Sequence, residues 1–276
     1  MTGRVNSAPQ VGDGELARLL AGTHHDPHAV LGAHPGPDGI TVRALQPLAN
    51  AVSVVLPDGR RFAMEHIEGG LFGVVLPATV LPVTARPDGG ADGPGEVPDY
   101  RLAISYSPSG PEMITDDPYR HRPTLGEMDL HLIGEGRHEE LWRVLGAHPR
   151  RLGGAAESGA EPFGRNFEAT AGTAFAVWAP NARGVRVIGD FNHWDGRGHP
   201  MRSLGGAGVW ELFVPGVGEG TRYKYEICGP DGAWRAKATR WRSWPSSRRP
   251  RRRWSRGRST SGTTARGWPR GARATR

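Results

Sequence analysis

The sequence predicts an all-β chain: two tandem immunoglobulin-like antiparallel β-sandwiches with short connecting helices, followed by a disordered arginine-rich tail. Three observations predict it. Apolar and polar residues alternate with a period of two: in TRYKYEI, Thr221, Tyr223, Tyr225 and Ile227 share one face, and Arg222, Lys224 and Glu226 share the other. Turn signals follow every few residues, among them Pro180-Asn181, Gly205-Gly206, Pro215-Gly216 and Pro230-Asp231-Gly232. The pattern also occurs twice. VLGAHP stands at residues 30–35 and again at 144–149, VRALQPLANAVSVV parallels VWAPNARGVRVI, and GLFGVVLP parallels GVWELFVP.

Taken in order, residues 1–13 are polar and loose. GELARLLAG at residues 14–22 reads as a short helix with Gly22 past its end. Asp26 is placed to cap a turn that has Pro27 in its first helical position. Residues 40–59 read as two strands and a turn, and GLFGVVLP and YRLAISYS add two more. Residues 81–99 form a Pro/Gly-rich loop without apolar anchors. Residues 137–145 read as a helix stopped by Gly146, with Leu141, Val144 and Leu145 on one face. The expected organisation is an N-terminal segment with its helix (1–22), a first sandwich (23–120), a helical connector (121–160), a second sandwich (161–238) and the tail (239–276).

The net charge of +7 misleads, because residues 239–276 hold thirteen arginines and no Asp, Glu or Lys. Subtracting those thirteen leaves −6 for residues 1–238, so the folded part gives no reason to expect a nucleic-acid partner. The tail also lacks Val, Ile, Leu, Met, Phe and Tyr and cannot build a core. It reads either as a basic arm for nucleic acid or, preferably, as the product of a shifted reading frame. Resequencing around codon 238 separates the two. The single cysteine, Cys228, excludes an internal disulfide and fits a reducing cytoplasm. No run approaches eighteen apolar residues, and no signal-peptide pattern opens the sequence.

His24, His25, His28 and His34 invite a metal reading. No Cys or carboxylate completes a set at ligand spacing, so no metal and no cofactor are expected. Asp116, Asp117, Glu139 and Glu140 are expected on solvated surface, and Trp178 and Trp210 in packing positions. The chemistry concentrates in FNHWDG, where Trp194 sits in a polar, glycine-flanked loop that no strand period can bury. Trp234 follows the turn at residues 230–232. A flat indole suits the apolar face of a pyranose ring, and Lys224 and Asn192 are the candidates for its hydroxyl rim. The competing reading is that both tryptophans fold back as edge-covering aromatics.

VWAPNARGVRVIGDFNHWDG resembles the family-48 carbohydrate-binding module of glycogen branching enzymes, a module type also found in the β subunit of AMP-activated protein kinase. HHDPHAVLGAHP and YRHRPTLGEMDLHLIGEGRHEELWRVLGAHP resemble the long N-terminal arm of the bacterial enzymes. The resemblance covers roughly residues 15–238. It implies α-glucan as partner, with Trp194, Lys224 and Trp234 holding it. The first copy has VVLPDGRR where the second has VIGDFNHWDG, so it is not expected to bind sugar in the same way. The family cuts an α-1,4 glucan and rejoins it as an α-1,6 branch with a barrel that needs about 250 residues. No position here matches its catalytic motifs, so no catalytic residue is carried over, and the chain is not expected to branch glucan alone. The alternatives are a non-catalytic interaction subunit that docks a separate catalytic chain, and nucleic-acid binding through the tail.

Overall fold

Two pairs of antiparallel sheets form in the computed structural model, which describes residues 8–77, 99–152 and 169–238. The loop at 81–98, residues 1–7 and the tail from 239 lie outside the described residues. The first pair is built from β1 (Gly32–Gly36), β2 (Gly39–Leu45), β3 (Ala51–Val55), β4 (Arg61–Ala63), β5 (Glu65–Glu68), β6 (Leu71–Pro77), β7 (Arg101–Ser105) and β8 (Met113–Thr115). Its sheets run β1-β2-β6-β5 and β4-β3-β7-β8. The second pair uses β9 (Gly146–Leu152), β10 (Thr170–Trp178), β11 (Gly184–Gly189), β12 (Arg202–Ser203), β13 (Val209–Pro215), β14 (Tyr223–Cys228) and β15 (Trp234–Lys237). Its sheets run β9-β10-β13-β12 and β11-β14-β15.

The repeat is therefore an architectural one. β1-β2-β6-β5 and β9-β10-β13-β12 have the same order, as do β3-β7-β8 and β11-β14-β15. The motif VLGAHP does the same work in both copies. A 3-10 turn (Pro27–Ala29; Leu141–Arg143) leads into β1 or β9, and the histidine of the motif hydrogen-bonds the carbonyl three residues back: His34 Nε2 to Leu31 O at 3.0 Å, His148 Nε2 to Leu145 O at 3.1 Å. Each turn also opens on a histidine Nδ1 that accepts a backbone N–H two residues on, His24 from Asp26 and His138 from Glu140. The copies differ at one edge. β4 pairs with β3 in the first sandwich, while residues 190–201 take that place in the second.

Several expectations change. The helix of the connecting stretch is α2 (Glu127–Gly134), not residues 137–145, because Gly136 adopts a left-handed φ of 68° and Arg137 N closes on Leu132 O. Leu141, Val144 and Leu145 still point into a core, but from a 3-10 turn. β9 starts at Gly146, inside the stretch expected to be connector, and pairs with β10. Asp26 makes no side-chain cap. Asp116 and Asp117 are buried rather than solvated: Tyr100 Oη–H donates to Asp117 Oδ2 at 2.6 Å, and Thr170 Oγ1–H to Asp116 Oδ2 at 2.7 Å. Trp210 is buried, with Nε1–H on Ala179 O, but Trp178 is 57% exposed at the end of β10.

One core binds the two sandwiches together. Leu19 of α1 (Asp13–Ala21), Val30, Leu31, Leu45 and Leu71 pack with Phe175, Val185, Val187, Trp210 and Tyr225. Tyr225 illustrates the fit. Its ring is buried, and its hydroxyl hydrogen-bonds Gly146 O at 2.8 Å and Ala176 O at 3.2 Å, fastening β14 to the opposite sheet. Tyr225→Phe is expected to lower unfolding stability by about 1–2 kcal/mol, since it strips a buried hydrogen bond. Urea denaturation checks it; a change below a few tenths would show that the hydroxyl contributes nothing.

Candidate functional site

The segment that replaces β4 makes the site. β11 ends at Gly189, where a Cβ would meet Arg222 O at 2.4 Å, so the close approach of β14 requires glycine. The chain then turns sharply. Phe191 goes inward, stacked on Phe175 at 5.7 Å between ring centroids. Asn192 also turns inward: its Oδ1 accepts from Gly189 N at 2.9 Å, and its Nδ2 donates to Val187 O at 3.0 Å and reaches His199 Nδ1 at 3.2 Å. These bonds use the amide within the loop, so Asn192 supports the site from beneath instead of reaching outward to a rim.

With residues 191 and 192 anchored, the reversal falls on His193 (φ 54°) and Trp194 (φ 63°), a left-handed conformation uncommon for residues other than glycine. Trp194 N closes on Gly189 O at 3.0 Å, and its side chain is held outward, 40% exposed. Trp194 Nε1–H donates to Asp190 Oδ1 at 3.2 Å. The same carboxylate receives Arg222 Nε–H at 3.0 Å and Nη2–H at 3.1 Å. These hydrogen bonds from Arg222, with that from Trp194, hold the Asp190 carboxyl below the usual carboxylate range. Asp190 is thus an ionised acceptor that fixes an indole, not a proton donor.

Lys224 on β14 brings its Nζ to 5.8 Å from the Trp194 ring centroid. Trp234, on β15, lies on the same sheet face but at its other end. It pairs with Cys228, four residues along β14 from Lys224, or about 13 Å at strand rise. There the Arg186 guanidinium stacks on it at 3.8 Å from the ring centroid. The structure therefore joins Trp194 and Lys224 directly and sets Trp234 apart from them along the strand.

Three contributing residues were not singled out in the sequence: Asp190, Arg222 and Arg186. Only Arg222 left a signal, through its shared strand face with Lys224. The Asp190–Trp194 bond depends on loop geometry that no periodicity encodes.

Residues 13–119 match the N-terminal domain of the alpha-1,4-glucan branching enzyme GlgB, and residues 162–241 match carbohydrate-binding module 48, also described as the isoamylase N-terminal domain. The 1,4-alpha-glucan branching enzyme GlgB of Thermobifida fusca is 59% identical over 206 residues, which is 75% of this chain and 24% of that enzyme. The enzyme of the same name from Frankia casuarinae is 55% identical over 229 residues, 81% of this chain and 24% of its own length. The chain thus spans about a quarter of the length of the curated relatives it matches. Matched in this order, the chain carries a GlgB-type N-terminal domain followed by a family-48 carbohydrate-binding module, the arrangement of the N-terminal part of a GlgB branching enzyme.

Proposed function

We propose that this chain binds α-1,4-glucan on the β11-β14-β15 face, with Trp194 as the principal platform. The observation that carries the reading is the effort spent on presenting one indole. Two left-handed residues, an anchored asparagine and an aspartate–arginine pair hold Trp194 outward beside a lysine. An edge-covering aromatic needs none of these. In this reading Lys224 donates to ring hydroxyls, Trp234 supplies a second stacking surface, and Asn192 holds the loop. The glucan so held is substrate for a branching reaction whose catalysis a separate barrel domain carries out. A cytoplasmic location belongs to the same reading.

Covering about 100 Å² of sugar face on each indole contributes roughly 5 kcal/mol, and ordering on association removes much of it. Affinity for maltoheptaose is therefore expected between about millimolar and tens of micromolar. Trp194→Ala should weaken it by about tenfold or more, and Trp234→Ala by less. Glycogen pull-down and calorimetric titration decide. A folded wild type that captures no glycogen sinks the proposal. It would bring forward a second reading, an interaction chain that docks a separate catalytic protein, which the exposed Trp178, Trp142 and Met128 favour.

A further inference from the structure

The second contact of the glucan face is not built by the second sandwich alone. Arg186, on β11, has its guanidinium over the Trp234 ring, and its Nη2–H donates to Ala21 O at 2.8 Å. Ala21 is the last residue of α1, so this carbonyl belongs to the negative end of that helix, where a cation is favoured. The fit there is close. Gly22 ends the helix with φ 72°, and a Cβ on it would lie 2.4 Å from Arg186 Nε. A Cβ on Gly184 would lie 2.1 Å from Gly22 O. Two glycines therefore let the helix end sit directly on β11 and press the guanidinium between α1 and Trp234. Leu19 fixes the helix from its other side, 1% exposed in the core shared by both sandwiches.

We infer that α1, acting through Arg186, is a positioning element for Trp234, so the N-terminal region and the carbohydrate-binding module assemble one glucan face jointly. This rests on the glucan reading given above. The guanidinium covers one side of the indole, which leaves the other side for a sugar and holds the ring at a set tilt to the sheet. Arg186 itself touches no glucan; it acts through Trp234. A module excised from its N-terminal region would keep the Trp194–Lys224 contact and lose the support of the second.

The test uses the full chain labelled with 5-fluorotryptophan, the Trp234 resonance being assigned by its disappearance in Trp234→Phe. Arg186→Met keeps the alkyl stem and removes both the guanidinium stack and the bond to Ala21. It should weaken maltoheptaose binding about fivefold, shift the Trp234 resonance and leave that of Trp194 in place. Arg186→Lys should recover part of the affinity. Leu19→Ala, which loosens α1 and does not alter Arg186, should move the same resonance with the chain still folded by circular dichroism. If wild type binds, Trp234→Phe weakens it and Arg186→Met binds like wild type with an unmoved resonance, this inference fails and the glucan reading stands. If wild type binds and Trp234→Phe has no effect, Trp234 is outside the site and the inference fails. If wild type does not bind at all, the glucan reading falls and takes the inference with it.

Discussion

Replacing Glu211 with alanine is expected to cost about 3–5 kcal/mol of unfolding stability. Glu211 is on β13 and is 0% exposed. Its Oε2 accepts Arg202 Nε–H at 3.2 Å and Nη2–H at 3.1 Å, and Arg202 is itself only 7% exposed. Its Oε1 accepts Thr124 N–H at 3.0 Å and Oγ1–H at 2.9 Å, which fastens the stretch before α2 to the second sandwich. Alanine leaves a buried guanidinium without its counter-charge, and that desolvation, not the lost attraction, is the larger cost. A loss of this size is about a fifth or more of the total for an ordinary domain. The control is Arg202→Met with Glu211→Leu. Removing both charges should cost only about 1–2 kcal/mol, because Thr124 alone loses its acceptor. Guanidinium denaturation of both variants settles it. Equal losses in the two would show that the pair acts through packing and not through charge.

The second large effect is acid lability. Of the imidazoles that burial pushes below their ordinary value of 6.5, three move furthest: His28 to about 2, His121 to about 3 and His199 to about 4. Each folds neutral, so the unfolded chain takes up a proton below pH 6.5 that the folded chain refuses. Stability therefore falls as pH drops through that value. At pH 5 each contributes a loss of about 2 kcal/mol. Asp117 acts in the opposite direction. Burial raises its carboxyl to about 6, against the hydrogen bonds from Tyr100 and Tyr119, so its folded form gains a proton first and returns about 1 kcal/mol by pH 5. The net loss between pH 7 and pH 5 is about 4–5 kcal/mol, enough to bring unfolding within reach of mild acid. Chemical denaturation at the two pH values measures it, and His199→Gln should reduce the difference by about 2 kcal/mol. Stability constant within about 1 kcal/mol over that range would overturn the account. Glucan binding by the folded chain should hold to about pH 5 and decline only near pH 4, where His199, which receives the Asn192 amide that holds the Trp194 loop, takes up its proton.

These effects mark where the sequence was legible. Period-two alternation read β2, β3, β6 and β7 of the first sandwich and β10, β11, β13 and β14 of the second, because a sheet with one buried face writes its burial directly into the order of residues; the shorter or outer strands β1, β4, β5, β8, β9, β12 and β15 were not read. The repeat was legible for the same reason. VLGAHP forms a turn, a strand start and a histidine–carbonyl bond from contacts within a few residues, so identical residues rebuild it wherever they occur. Trp194 stood out because a large aromatic in a polar loop has no strand face to hide on.

Tertiary structure decided the rest. Residues 137–145 carry a helical spacing, yet the histidine-capped turn that leads into β9 claims them. Asp116 and Asp117 look like surface carboxylates until Tyr100 and Thr170 arrive from other segments to bond them and Arg120, four residues on, pairs with Asp116. Glu211 sits in a strand as buried as its apolar neighbours, because Arg202 and Thr124 reach it from elsewhere. Trp234 follows the same logic: strand register puts it on the Lys224 face, but Arg186, which stacks on it, is bonded to Ala21 of α1, 165 residues away in sequence. Local patterning records which face of an element is buried. It does not record which partner, near or far along the chain, covers that face.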